Sequence, residues 1–467
     1  MIDVATFDQG LLEVTLARAL RHGGDFSEVY VEDRDSLGLR LEDGRIEQTS
    51  GGREVGAAVR LLCGERTYYA FSDAVDEAGL AAAADAVAAA ARTGALGPAV
   101  VHLGAVVSAP GEHPVLVPPD TVAISRKADL VRAADEEARS AGAEIVQVIV
   151  GYGDTRQRVL IANSLGERVF DDRTRTRFSA QVVARRGDII QTGHETVGGS
   201  AGFELLDEAI AKATAQSAAA KAVIMLDSRP SPVGAMPVVL ANGFGGTLFH
   251  EACGHGLEAD AIAKGASIYA GKMGEVVAAA HVSAYDDGSL RNGWGSQAFD
   301  DEGVPTQKTL VIENGRLTGY LYDRLRAREA GAEPTGNGRR QSFRHVPIPR
   351  MTTTYIAPGD ATPDDIIAAT PRGFYAKSLA GGQVEPASGA FVFGVAEGYL
   401  IEAGKLTTPL RGATLVGNGI DILMKIDLIA GDFEVKTGIC GKDGQGVPVA
   451  DAQPTLLIDE ITVGGAA

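Results

Sequence analysis

The feature that most restricts how this chain can fold is a pair of histidines five residues apart, His250 and His255, with Glu251 directly after the first. Only eight histidines occur in 467 residues, so two on one short stretch ask for a reason. Two imidazoles on one helix can hold a Zn²⁺, and an adjacent carboxylate can then activate water. The familiar spacing for this chemistry is four, because residues four apart sit only about 40° apart around a helix axis. A spacing of five separates them by roughly 140° on an ideal helix. An unbroken helix therefore points the two rings apart, and a one-residue π-bulge brings them together. Gly254 and Gly256 flank the second histidine, where distorting the backbone costs least. The plain alternative is two unrelated core histidines, and this pattern alone does not choose between them.

Length and charge narrow the context. A chain of 467 residues exceeds one ordinary core and implies two or three domains. A formal net charge of −18 argues against nucleic acid or an anionic membrane as a general partner. Cys63, Cys253 and Cys440 are too scattered for a disulfide framework, which fits a reducing cytoplasm. The first eight residues carry no basic segment and no long apolar run, so no signal peptide is expected. The most apolar stretch, residues 80–91, is broken by Asp85 and too short to cross a bilayer. A cytoplasmic protein without membrane spans is the expectation.

Periodicity places helices over residues 8–21 and 75–92, with strands between them at 28–31, 37–41 and 56–62. After a Gly- and Pro-rich loop over 94–119 the order repeats: a helix at 125–140, strands at 144–152, 158–162, 178–185 and 188–191, and a helix at 204–220. Pro230, Pro232 and Pro237 mark a domain boundary near 230. Beyond it short strands dominate, with two-residue turns expected at Asp286-Asp287-Gly288, Asn314-Gly315 and Ala403-Gly404. A short helix spans 360–369. The expected fold class is α+β: an N-terminal domain (1–230) of duplicated helix/antiparallel-strand units, and a β-rich C-terminal domain (231–467) carrying the metal-binding helix.

A catalytic zinc usually takes three protein ligands. Candidates for the third are His281, His345, Glu258, Asp260, Cys253 and Cys440. Cys253 lies between the histidines and reads as packing. Glu258 and Asp260 could bind metal, though orienting the imidazoles from behind suits them better. Cys440 sits in a glycine-dense run, 437–446, without strand or helix pattern, where a metal would stabilise its thiolate. An incidental loop cysteine is the competing reading. Arg339, Arg340 and His345, in a Gly/Asn-rich loop, are candidates for stabilising an oxyanion, against the commoner solvated basic loop. Gly382, Gln383 and Val384, and the run 390–395, could offer a strand edge to an extended peptide. For 390–395 a buried central strand is the alternative.

Four motifs in order, His250-Glu251-x-x-x-His255-Gly256-Leu257-Glu258, residues 334–340 (Pro-Thr-Gly-Asn-Gly-Arg-Arg), Gly381-Gly382-Gln383-Val384 and Cys440-Gly441-Lys442, resemble the TldD/PmbA metalloprotease family, often described as modulators of DNA gyrase. The resemblance implies one zinc per chain, held by His250, His255 and Cys440, with Glu251 as general base. It also implies cleavage of unfolded or extended peptides, and a partner, either a PmbA-like (TldE) subunit lacking the metal site or a second copy. The competing functional class is a non-enzymatic peptide- or protein-binding regulator of the gyrase-modulator type.

Overall fold

The computed structural model describes residues 4–91, 100–109 and 112–465. Parts of the loop expected over 94–119, residues 94–99 and 110–111, lie outside these. In the N-terminal half, Asp8 accepts a hydrogen bond from the Leu11 amide and opens helix α1 (Gln9–Ala19). Strands β1 (Phe26–Glu42), β2 (Arg45–Cys63) and β3 (Arg66–Ser72) follow, then helix α2 (Glu77–Ala91). The same order returns as α3 (Ile124–Ser140), β4 (Ile145–Asn163), β5 (Arg168–Arg186), β6 (Ile189–Gly199) and α4 (Glu208–Met225). The two units join edge to edge through an antiparallel β1–β4 pairing, giving one sheet of order β3-β2-β1-β4-β5-β6. The expected duplication is thus present, with longer strands. Residues 144–152 and 158–162, expected as two strands, form one because Gly153–Gln157 pair with β1 on one side and β5 on the other. Cross-strand pairing overrides a locally polar sequence there.

The helices cover one face of this sheet. Val29 and Val31 of β1 pack with Leu12 and Leu16 of α1 and Leu80 and Val87 of α2. A half-buried sheet ordinarily turns its polar alternation to water. Here the alternate residues Glu28, Tyr30 and Glu32 are 1%, 0% and 1% exposed. The C-terminal half buries them. Arg60 of β2 pairs with Glu302, Arg173 of β5 with Asp301 at 2.5 Å, and Arg340 with Glu28. A charge ladder joins the two halves, interleaved with small apolar clusters such as Tyr30, Val159 and Ile161 around Phe343.

After α4 the chain changes sheets. Pro230 already pairs with the C-terminal part, through Arg229–Pro230 against Lys405–Arg411. Strands Arg372–Glu385, Gly234–Leu240, Leu456–Gly465, Ala413–Asn418 and Ala390–Glu402 pair in that order, and the last pairs back with the first, closing a ring. A second sheet runs Arg316–Leu317, Lys308–Glu313, Ala284–Asp287, Thr353–Ile356, Gln445–Gln453 and Glu434–Lys442. Between ring and sheet lies the histidine helix, its Phe249 and Cys253 in one core with Phe374 and Phe393 of the ring and with Met351 and Val447.

Two expected turns form: Glu313 pairs with Arg316 around Asn314-Gly315, and Glu402 with Lys405 around Ala403-Gly404. The turn expected at Asp286-Asp287-Gly288 does not. Asp286 is 2% exposed and accepts from the Thr352 amide and hydroxyl and from Asn337 Nδ2, so it is a buried hub rather than a hairpin tip. Thr362 and Asp365 form a reciprocal capping box on helix Pro363–Ala368, within the expected 360–369. No helix among the described residues is long and apolar enough to cross a membrane.

Candidate metal centre

Strand Gly234–Leu240 leads through a tight turn at Gly243–Gly245 into a single helical turn, Gly246–Phe249. The next turn, His250–Gly254, is π-helical, and α geometry resumes at His255–Leu257. The wider turn absorbs the five-residue spacing, so the two rings meet edge to face with centroids 5.2 Å apart. Glycines permit the close packing around it. A Cβ on Gly254 would fall 2.1 Å from Met351 Sδ, and one on Gly246 2.8 Å from the Ala452 amide. Cys253 points into the core, and burial pushes its thiol up to about 12, consistent with packing.

Cys440 is not in a loop. It lies on strand Glu434–Lys442, opposite Val447 of Gln445–Gln453, and is 5% exposed. The glycine density serves a two-residue turn, Asp443-Gly444, with φ of 50° and 73°, and the strand then alternates Cys440 inward with Ile439 outward. Hairpin register brings the thiol to the helix. Ligand atoms of His250, His255 and Cys440 all lie within 4.8 Å of one another, and Sγ is 3.3 Å from His255 Nε2. His281 is exposed and outside this cluster.

Each imidazole is backed by a carboxylate. Glu258, 1% exposed, holds His255 Nδ1 at 2.9 Å. Asp451 Oδ1 lies 3.3 Å from His250 Nδ1, and its other oxygen accepts from Thr247 at 2.7 Å. Such carboxylates fix the tautomer and orientation of a ligating ring. Lys442 Nζ donates to Glu258 at 2.9 Å and Asp260 at 2.6 Å, so Asp260 reaches the centre only through that lysine. Asp451 was invisible from sequence spacing: it stands on an alternating strand with nothing to distinguish it from any solvent-facing acid.

Burial raises the Cys440 thiol, but the His250 and His255 imidazoles outweigh it and bring the group down to about 5. Burial likewise opposes charge on His250, yet Cys440 and Asp451 hold it up at about 9. His255 is raised well above its ordinary value against burial, by Glu258 and Cys440. Glu258 is held at about 2 despite burial, by Lys442 and His255. Two imidazoles sharing protons with a thiolate form a donor set in which a divalent cation can take the place of those protons. Two N donors and one S donor suit zinc with an open fourth position. The residues fit the group.

Glu251, beside His250, has its Oε2 3.7 Å from His255 Nε2. Burial raises its carboxyl above the ordinary value, partly offset by the two imidazoles. It opens with His255, Glu258 and Lys442 onto a cavity of about 450 Å³ whose far wall is Gly382, Gln383 and Val384. Those three residues pair with Ala390–Glu402 on one side; the strand's other neighbour, Gly234–Leu240, meets it only at 374–376. Their second edge is free among the described residues. Residues 390–395 are instead a central strand, between Arg372–Glu385 and Ala413–Asn418, so they offer no edge.

The three oxyanion candidates are elsewhere. Arg339, 2% exposed, donates to the carbonyls of Met351 and Pro448. Arg340, 3% exposed, pairs with Glu28 and stacks 4.2 Å over Tyr30. His345 Nδ1 lies 2.9 Å from the Ser342 hydroxyl. None lines the cavity beside Glu251. The basic loop clamps the two halves together; burial against the N-terminal sheet, which spacing cannot show, is the reason.

A helix distorted to converge two imidazoles, a thiolate from a distant hairpin, and a free strand edge across the cavity define a candidate metal centre on a mixed α+β fold. Residues 27–91, 117–226 and 233–465 match domain 1, the central domain and the C-terminal domain of the PmbA/TldA metallopeptidases, and the chain belongs to that family. It is 38% identical over 451 residues to a metalloprotease TldD homolog of Haemophilus influenzae, covering 94% of this chain and 93% of that one. A zinc metalloprotease TldD homolog of Saccharolobus solfataricus is 32% identical over 306 residues, 65% of this chain and 68% of its own. The fold is shared with TldE of Thermococcus kodakarensis, at a TM-score of 0.76 and 20% identity over 97% of this chain and all of that one. It is also shared with a Thermotoga maritima protein named for modulation of a DNA gyrase, at 0.77 and 23% over 94% and 96%.

Proposed function

We propose that this chain is a zinc-dependent peptidase acting on unfolded or extended peptides, the catalytic subunit of a two-subunit cytoplasmic assembly with a TldE-like paralogue or a second copy. The observation that carries the reading is the convergence of His250, His255 and Cys440 within 4.8 Å, beside Glu251. These three residues would hold one zinc. When bound, the ion would supply Lewis-acid activation of water and of the scissile carbonyl. Glu251 takes the proton released by the attacking water and delivers it to the leaving amine, burial raising its carboxyl above the ordinary value. Glu258 and Asp451 hold the imidazole rings in place, and Lys442 keeps Glu258 ionised and fixed. The free edge at Gly382, Gln383 and Val384 pairs with substrate backbone, reading little side-chain sequence. On this reading residues 1–230 frame the site and 231–467 carry it.

The test is metal content and cleavage of an unfolded peptide. The purified protein, alone and with a TldE-like partner, is expected to hold one zinc per chain and to lose cleavage on chelation. Cys440→Ala is expected to reduce bound zinc well below one per chain. Full zinc content in Cys440→Ala would remove the thiolate from the ligand set, and a metal-free parent without cleavage would favour the non-enzymatic binder. For the supporting carboxylate, Glu258→Gln is expected to weaken zinc affinity about 10–100-fold, measured by competition with a chromogenic chelator. An unchanged affinity would make Glu258 a mere partner of Lys442.

A further inference from the structure

On the opposite face of the Cys440 hairpin, at the seam between the two halves, lies a second cavity of about 400 Å³. Arg34, Arg173, Arg175, Arg339 and Arg340 line it, with Asp301 as the one acid. Three of these arginines already have carboxylate partners: Arg173 has Asp171 and Asp301, Arg340 has Glu28, and Arg34 at the mouth has Glu54. Two do not. Arg175, 6% exposed, donates only to the Trp294 and Ser296 carbonyls and to Gln297 Oε1. Arg339, 2% exposed, donates only to two carbonyls, and its Nε has no partner. Neither makes an ion pair among the described residues. Gln297, 3% exposed, turns toward the same cavity with its Nε2 donors unused.

Buried cations are ordinarily paired, because desolvation penalises an isolated charge heavily. Burial and the neighbouring guanidiniums bring Arg175 down to about 9, and burial brings Arg339 down to about 10. The protein elsewhere matches arginine with acid at this seam, and its overall charge is −18. Arg350 is equally buried and bonded only to carbonyls, but Arg175 and Arg339 open onto a cavity beside an unused amide, where an anion would meet all three. We propose that this cavity binds a small phosphate-class dianion. The four carboxylates Asp171, Asp301, Glu28 and Glu54 leave the five lining guanidiniums with an excess positive charge, which favours an anion. Planar guanidiniums present paired donors to tetrahedral oxygens. The chain's formal net charge of −18 disfavours a long polyanion such as nucleic acid. This site is distinct from the candidate metal centre, since Ile439 and Pro448 line it while Cys440 faces the other way.

The test is isothermal titration of the full chain with inorganic phosphate and with pyrophosphate at constant ionic strength, and with acetate as the carboxylate arm. Saturable one-site binding of phosphate or pyrophosphate is expected, with acetate at least tenfold weaker. Arg175→Met is expected to weaken phosphate binding about 10–100-fold, the loss of a charge-assisted contact, and Gln297→Leu about 3–10-fold. Should Arg175→Met not fold, Gln297→Leu, which removes no charge, decides. Absence of saturable phosphate or pyrophosphate heat up to about 10 mM, acetate binding as tightly as phosphate, or unchanged phosphate affinity in Gln297→Leu would each overturn the proposal.

Discussion

Glu251→Gln is expected to lower peptide cleavage by about 10²–10⁴-fold while zinc content stays at the parent's level. The amide keeps the size and position of the side chain but can neither accept the proton of attacking water nor return it to the leaving amine. The ligand atoms of the cluster belong to His250, His255 and Cys440, so the metal does not depend on Glu251. Its carboxyl is only partly exposed and sits beside both rings, so substitution removes a negative charge without opening a void. The diagnostic pair of measurements is therefore metal content and turnover on the same sample. A variant that keeps zinc and cleaves at the parent rate would transfer the base to another group. Loss of both together would mean that Glu251 supports the metal instead.

Arg340→Met is expected to destabilise the chain by about 3–5 kcal/mol, read as a shifted chemical denaturation midpoint. The Arg340 and Glu28 side chains are both fully buried, more than 300 positions apart in sequence, and join the N-terminal sheet to the C-terminal half. Removing the cation leaves the buried Glu28 carboxylate with no direct ion-pair partner and only the Arg60 guanidinium nearby, which costs more than the pair contributes when intact. Glu28→Gln introduced with Arg340→Met is expected to recover a sizeable part of the loss, because no orphan charge then remains. A single variant within about 1 kcal/mol of the parent would mean that water reaches the seam or that the nearby Arg60 guanidinium is counter-charge enough for Glu28.

Local patterns were readable where local physics governs. The short helix at 360–369 and the turns at Asn314-Gly315 and Ala403-Gly404 depend on residues within a few positions of one another. The duplicated unit was readable as element order, because hydrophobic periodicity survives without residue identity. Local composition misleads where a distant partner supplies the energy. Asp286-Asp287-Gly288 has turn composition, yet Thr352 and Asn337 draw Asp286 into the interior. Residues 437–446 look irregular through their glycines, yet pairing with Gln445–Gln453 makes most of them a strand. Arg339 and Arg340 look like a basic loop facing solvent, and the opposing sheet buries them.

By itself the amino-acid sequence determined that His250 and His255 converge only through a widened helical turn, since five residues do not fit one face at 3.6 per turn. It also determined that Gly254 would allow that turn, and that an acid stands beside it. Only the tertiary structure decided what the rings meet: Cys440 from a hairpin far along the chain, with Asp451 and Glu258 holding the imidazoles from behind. It also decided that Arg340 holds the two halves together and that Arg339 ties Met351 to Pro448, instead of either facing substrate. The reason is range. Helix geometry and turn chemistry act over a few residues, whereas desolvation and ion pairing act on whatever folding brings near, and spacing carries no record of that.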